Sequence, residues 1–131
     1  MIVLDTHAWV WWIASPERLS PSARQRIDDE AEKAPVVVSS ISAWEVALLV
    51  RKGRLELTIG VEEWITRSES LSTLRFVPVD NRIAVLSNYL PGELHEDPAD
   101  RIITATTLTL GATLVTRDQK LQDYPHLETF W

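Results

Sequence analysis

Short aliphatic runs alternate along this chain with segments of helical periodicity, and that alternation leaves few folds open. Ile2-Val3-Leu4, Val36-Val37-Val38 (introduced by Pro35), Arg75–Val79, Ala112–Thr116 and Leu127–Phe130 read as strands. Between them, a helix is expected from Asp5 to Ile13, stopping near Ser15-Pro16. Another opens at Ser20-Pro21, with serine as cap and proline at the first helical position, and its apolar residues Ala23, Ile27 and Ala31 recur every four positions. Ser39 to Ser42 reads as a turn and cap before a helix over about 43–52 that Gly53 ends. Further helices are expected over 60–72, over 81–89 up to Pro91-Gly92, and from Pro98, capped by Asp97, to Gly111. Strands alternating with helices argue for an α/β fold with a largely parallel sheet. The length of 131 residues fits one domain, and no repeat, low-complexity tract or linker divides it.

Composition narrows the function classes. No apolar stretch approaches the roughly 18 residues of a membrane span. The opening MIVLDTHAWVWWIA lacks a basic leading segment and carries Asp5 and His7, so it does not read as a signal peptide. There is no cysteine, which excludes disulfides, thiolate zinc sites and cysteine nucleophiles and is compatible with a cytoplasmic protein. The net charge of −6 and pI near 5.0 argue against nucleic-acid binding through a broad basic face. Any such function needs a small local patch, a metal ion or a partner that supplies positive charge.

In parallel α/β sheets, ligands bind at the carboxyl ends of the strands. The first strand delivers Asp5 there. The second leads through its short turn to Glu45, in the first turn of the next helix. Asp100 lies in the first turn of the helix that opens at Pro98, and Asp118 lies two residues beyond Thr116. Four acids remote in sequence thus fall on one sheet edge. Two like charges 4 Å apart repel by about 4 kcal/mol at an effective dielectric near 20, so such a cluster calls for a cation or for protonation. Oxygen-only ligands select hard ions such as Mg²⁺ or Mn²⁺, which acidify water and neutralise phosphate charge. Each acid also has a structural reading. Asp5 can simply end a strand, Glu45 and Asp100 can favour a helix dipole, Asp118 can serve a turn, and Asp97 can act as a helix cap.

The segments IVLDTHAWVWW, SSISAWEVA and LHEDPADRIITATTLTLGATLVTRD together resemble the PIN-domain ribonucleases, most nearly the VapC-type toxins of toxin–antitoxin pairs, from Met1 to about Tyr124. The resemblance implies a single three-layer α/β/α PIN-like domain over residues 1–131 with a parallel sheet. It also implies Mg²⁺- or Mn²⁺-dependent endoribonuclease activity, a homodimer and inhibition by a small antitoxin protein. Asp5, Glu45, Asp100 and Asp118 match the family's catalytic, metal-holding acids. Asp97 matches an extra acid of this subgroup, and Thr6 and Thr116 match hydroxyl positions beside the site. The implied reaction is hydrolytic phosphodiester cleavage with in-line attack by an activated water.

Other residues carry weaker signals. His7 could approach the site or only pack, and His95 and His126 read as loop residues. No histidine pair has zinc spacing. Trp9, Trp11 and Trp12 make the first helix apolar nearly all round, hence buried on several sides and open to an interface or base-stacking role. Trp44 and Trp64 read as core. Arg51, Lys52 and Arg54 serve either a helix C-terminus or RNA phosphate. Arg101 and Arg117 could contact phosphate or orient the acids. Phosphotransfer folds with a nucleophilic first-strand Asp fit poorly: the second acid of a haloacid-dehalogenase-like site is His7 here, and Arg117 stands where a receiver domain expects lysine. A free-standing RNA-processing nuclease and a non-catalytic binding module remain open.

Overall fold

A computed structural model describes residues Met1–Trp131. The elements run β1 (Ile2–Leu4), α1 (Thr6–Ala14), a 3₁₀ turn (Pro16–Arg18), α2 (Pro21–Lys33), β2 (Val36–Ser39), α3 (Ser40–Arg51), α4 (Val61–Glu69), β3 (Leu74–Val77), α5 (Asn81–Leu86), α6 (Pro98–Leu110), β4 (Thr113–Val115), α7 (Gln119–Gln122) and β5 (Thr129–Phe130). The five strands form one sheet in the order β3-β2-β1-β4-β5, and every pairing is parallel.

Register explains the three layers. Val3 pairs with Val37 on one side and Leu114 on the other. These three point to the same face and pack with Ile103, Leu121, Tyr124 and Leu127. Their neighbours Ile2, Leu4, Val36 and Val38 point to the opposite face, against Trp9, Ile27, Val46 and Trp64. Alternate side chains of a strand take opposite faces, so a sheet covered on both sides needs uninterrupted apolar strands. That is why the strands read as aliphatic runs.

Helix ends follow local chemistry. The Ser20 hydroxyl accepts from the Ala23 N–H at 3.0 Å, with Pro21 at the first helical position. Gly111 closes α6 in the left-handed conformation, φ +61°, where glycine pays no Cβ penalty.

Several expectations need correction. Helix α3 starts at Ser40, so Ser42 lies inside it; the Ser39 hydroxyl caps it by accepting from the Ile41 N–H at 3.2 Å. A run of serines looks like turn chemistry because the hydroxyls compete for backbone groups, yet here a single one suffices as the cap. Trp44 is not core: it is 55% exposed, whereas Trp64 is buried. The inward face of α3 is set by Ser42 and Val46, and two residues of helix rotate a side chain by about 200°, which turns Trp44 outward. Helix α4 ends at Glu69 and α5 at Leu86, both sooner than their sequence patterns suggest, and α7 and the 3₁₀ turn are additional. No helix is long and apolar enough to cross a membrane.

Candidate active site

The sheet order reverses at β1: the chain winds from β1 outward to β2 and β3, then returns to lay β4 on the other side of β1. Such a switch point opens a crevice at the strands' carboxyl ends. A cleft of about 450 Å³ lies there, lined by Asp5, Glu45, Asp97, Asp100 and Asp118 together with Thr6, His7, Trp11 and Arg117.

Three of these acids also cap helices, and one oxygen does that work. Asp5 Oδ1 accepts from the Ala8 N–H at 2.8 Å, Asp97 Oδ1 from the Asp100 N–H at 2.9 Å, and Asp118 Oδ1 from the Lys120 N–H at 2.8 Å. In each the second carboxylate oxygen is left free of that bond. Capping and a role in the cleft are therefore compatible at the same residue, and the cap itself fixes the carboxylate's orientation. Glu45 projects from α3 one turn beyond Ser42, and the Thr6 hydroxyl donates to the Ser42 hydroxyl at 2.8 Å, which ties the start of α1 to the helix that carries Glu45. The buried Thr116 hydroxyl accepts from the Asp118 N–H at 3.0 Å and also hydrogen-bonds the Asp5 carboxylate.

Burial dominates the electrostatics. Asp5 is only 8% exposed, and desolvation pushes its carboxyl above the usual range. The bonds from Thr116 and Ala8 and the proximity of His7 oppose that push, while Glu45 adds to it. Asp100 is driven from 3.8 up to about 6, first by burial and then by Asp97 and Asp118, against the pull of its bond to His95.

His95 is the residue whose role at the site the sequence reading overlooked. It lies in the loop before α6, and its Nε2 stands 2.7 Å from Asp100 Oδ2. The only signal was its place within LHEDPADR, ahead of a capped helix. Arg101, which the sequence left between phosphate contact and orienting the acids, does not line the cleft. Its Nε donates to the Ser87 carbonyl at 2.8 Å, and a terminal nitrogen donates to the carbonyls of Leu94 at 2.8 Å and His95 at 3.3 Å. It therefore pins the loop that delivers His95. His126 packs on Tyr124, away from the cleft. Arg51, Lys52 and Arg54 cluster at the C-terminal end of α3, and none of them lines the cleft.

Comparison with known proteins matches this architecture. The PIN domain family aligns with residues 2–127, nearly the whole chain. The chain belongs to the PIN domain family. It is 37% identical over 126 residues to Ribonuclease VapC22 of Mycobacterium tuberculosis, covering 95% of this chain and 92% of that protein. Solved structures with the same fold include VapBC2 from Rickettsia felis bound to a DNA fragment from its promoter. There the TM-score is 0.73 at 22% identity, over 100% of this chain and 99% of that one. DNA-bound VapBC from Salmonella typhimurium gives a TM-score of 0.68 at 20% identity, over 98% and 96%. FitAcB from Neisseria gonorrhoeae gives 0.66 at 24% identity, over 100% and 97%.

The acid cluster of this PIN domain is not neutralised by arginine. Its one ion-pair contact is with His95, because the remaining ion pairs are Met1–Glu30, Arg26–Glu30 and Arg67–Glu63. No three acidic or imidazole groups close on one point as a complete coordination shell. An oxygen-only donor set with unrelieved negative charge fits a hard divalent cation.

Proposed function

We propose that this PIN domain is a divalent-cation-dependent endoribonuclease, the toxin of a VapBC-type toxin–antitoxin pair. In this reading residues 1–131 act as one unit, as a homodimer in the cytoplasm, with a cognate antitoxin as protein partner. The observation that carries it is the meeting of Asp5, Glu45, Asp100 and Asp118 in one cleft with no arginine in ion-pair contact with any of them. The relative named as a ribonuclease supports the RNA substrate, and the toxin–antitoxin complexes that share the fold support the partner.

Asp5, on the central strand, would be the principal ligand for Mg²⁺ or Mn²⁺. Glu45 and Asp100 would complete its surroundings or hold its waters, with Asp118 closing the cleft. When bound, such an ion supplies Lewis acidity and lowers the pKa of water. The chain's own contribution is orientation: capping bonds hold one oxygen of Asp5, Asp97 and Asp118 and leave the other free of that bond. His95 holds Asp100 in the same way, and hydrogen-bonded carboxylate ligands bind metal more strongly than free ones. Water attacking in line on phosphorus would give up a proton to a cleft carboxylate as the opposite P–O bond to ribose breaks, and the departing oxygen would take up a proton to leave as an alcohol.

The test is an RNase assay with purified protein, with and without EDTA, beside Asp5→Asn. Asparagine also caps well, so the substitution removes charge while leaving the start of α1 intact. Cleavage should require Mg²⁺ or Mn²⁺ and vanish in the variant. Cleavage that survives both controls would leave the assignment without support.

A further inference from the structure

A cationic rim borders the acidic cleft. Trp11 is the cleft's one apolar lining residue, 9% exposed. The Arg117 guanidinium stands 5.9 Å from its ring centroid and that of Arg18 stands 5.2 Å away. Both arginines are exposed, and neither joins an ion pair. Trp11 is itself braced by the Trp131 ring at 6.0 Å and the His7 ring at 5.6 Å. Two cations without acidic partners beside a cleft rich in carboxylates are poorly explained as stability elements, since exposed charges on an aromatic face contribute modestly.

We propose that Arg117, with Arg18 as the outer member, forms a phosphate-binding rim that seats single-stranded RNA across the cleft. The inference rests on the ribonuclease reading and adds to it the means by which an acidic protein holds a polyanion. With a net charge of −6, the molecule repels RNA at long range, and an ion in the cleft serves only the phosphate at the reaction centre. Flanking phosphates need cations at the rim. A guanidinium laid on an indole is suited to this: the ring holds it in place while its planar fork keeps N–H donors for phosphate oxygens. Arg54 is exposed, lies outside the cleft lining and rests on no aromatic ring, and it provides the control.

RNA affinity would be read by fluorescence anisotropy in Mn²⁺ on the non-cleaving Asp5→Asn protein. The probe is a labelled single-stranded RNA of about 12 nucleotides, within the range that single-strand sites cover. Adding Arg117→Gln should weaken binding about three- to fivefold at about 150 mM salt. It should also reduce the log–log salt slope by about 0.7. Arg18→Gln should act in the same direction, Arg117→Lys should retain the slope, and Arg54→Gln should change neither quantity. In the Asp5-intact protein, Arg117→Gln should leave Mn²⁺ affinity unchanged or tighter, because a cation beside the acids has gone; a variant that had merely misfolded would lose Mn²⁺ as well. Unchanged RNA affinity and slope in Arg117→Gln, or an equal loss in Arg54→Gln, would overturn the rim while leaving the ribonuclease reading standing. Absence of RNA binding by the parent would overturn both.

Discussion

Removing the charge of Asp100 should stabilise the metal-free protein, an uncommon outcome for a substitution inside an active site. Folding moves this carboxyl from 3.8 to about 6, so between those values the folded protein binds more protons than the unfolded chain. Stability must then fall as pH rises through that window, and the cost is complete above about pH 6. A difference of this size corresponds to about 3 kcal/mol at neutral pH. The side chain keeps 20% exposure, and water in the cleft screens part of the repulsion, so Asp100→Asn should recover about 1–2 kcal/mol. Asparagine still offers His95 an acceptor oxygen. For a chain of 131 residues that gain raises the melting temperature by about 4–7 °C. The assay is thermal unfolding followed by circular dichroism in EDTA from pH 4 to 8. The variant's advantage should appear above about pH 5, level off near pH 7 and vanish toward pH 4. Mn²⁺ should shrink the gap at neutral pH, because it binds the folded wild type more tightly than the variant. A variant less stable at every pH, or an advantage independent of pH, would show that the Asp100 charge is already compensated in the fold and that the reasoning is wrong.

Two further outcomes follow from other contacts. His95→Ala should weaken Mn²⁺ binding, measured by titration calorimetry, by about tenfold, the usual loss when a ligand's hydrogen-bond partner is removed. His95→Gln, which keeps a donor toward Asp100, should recover part of it; equal affinity in all three proteins would deny His95 a positioning role. Gly111→Ala meets no atom within 4 Å of the added Cβ, so its effect isolates the left-handed backbone and should cost about 1 kcal/mol in urea unfolding, whereas no loss would mean that the α6 terminus relaxes.

Much of the fold was legible because its signals are local. Asp97-Pro98 and Gly111 bracket α6, Ser20-Pro21 opens α2, and the aliphatic runs mark strands covered on both faces. Local signals misled where the answer depended on which face of a helix turned inward. Trp44 looked like core by residue type, but Ser42 and Val46 set the packed side of α3. Helix α5 ends at Leu86 although the pattern ran on to Tyr89, because the Ser87 and Asn88 side chains bond the Ala84 carbonyl and the chain turns away. His95 gave no periodic signal, since loop residues have none, and its place within LHEDPADR did not reveal its bond to Asp100.

By itself, the sequence determined the alternation of strand and helix, the caps, and which acids end up on the carboxyl edge of the sheet. These depend on hydrogen bonds and side-chain periodicities that span a few residues. Only the tertiary structure decided that β4 lies against β1, bringing Asp118 beside Asp5. It alone decided that the Arg101-pinned loop carries His95 to Asp100, and that Arg18 and Arg117 share the ring of Trp11. The β1–β4 pairing and the Arg117–Trp11 contact join residues far apart along the chain, and the short-range contacts of His95 and Arg18 lie in irregular segments whose path the packing sets. No local preference encodes them; they exist because packing both faces of one sheet leaves the backbone a single compact path.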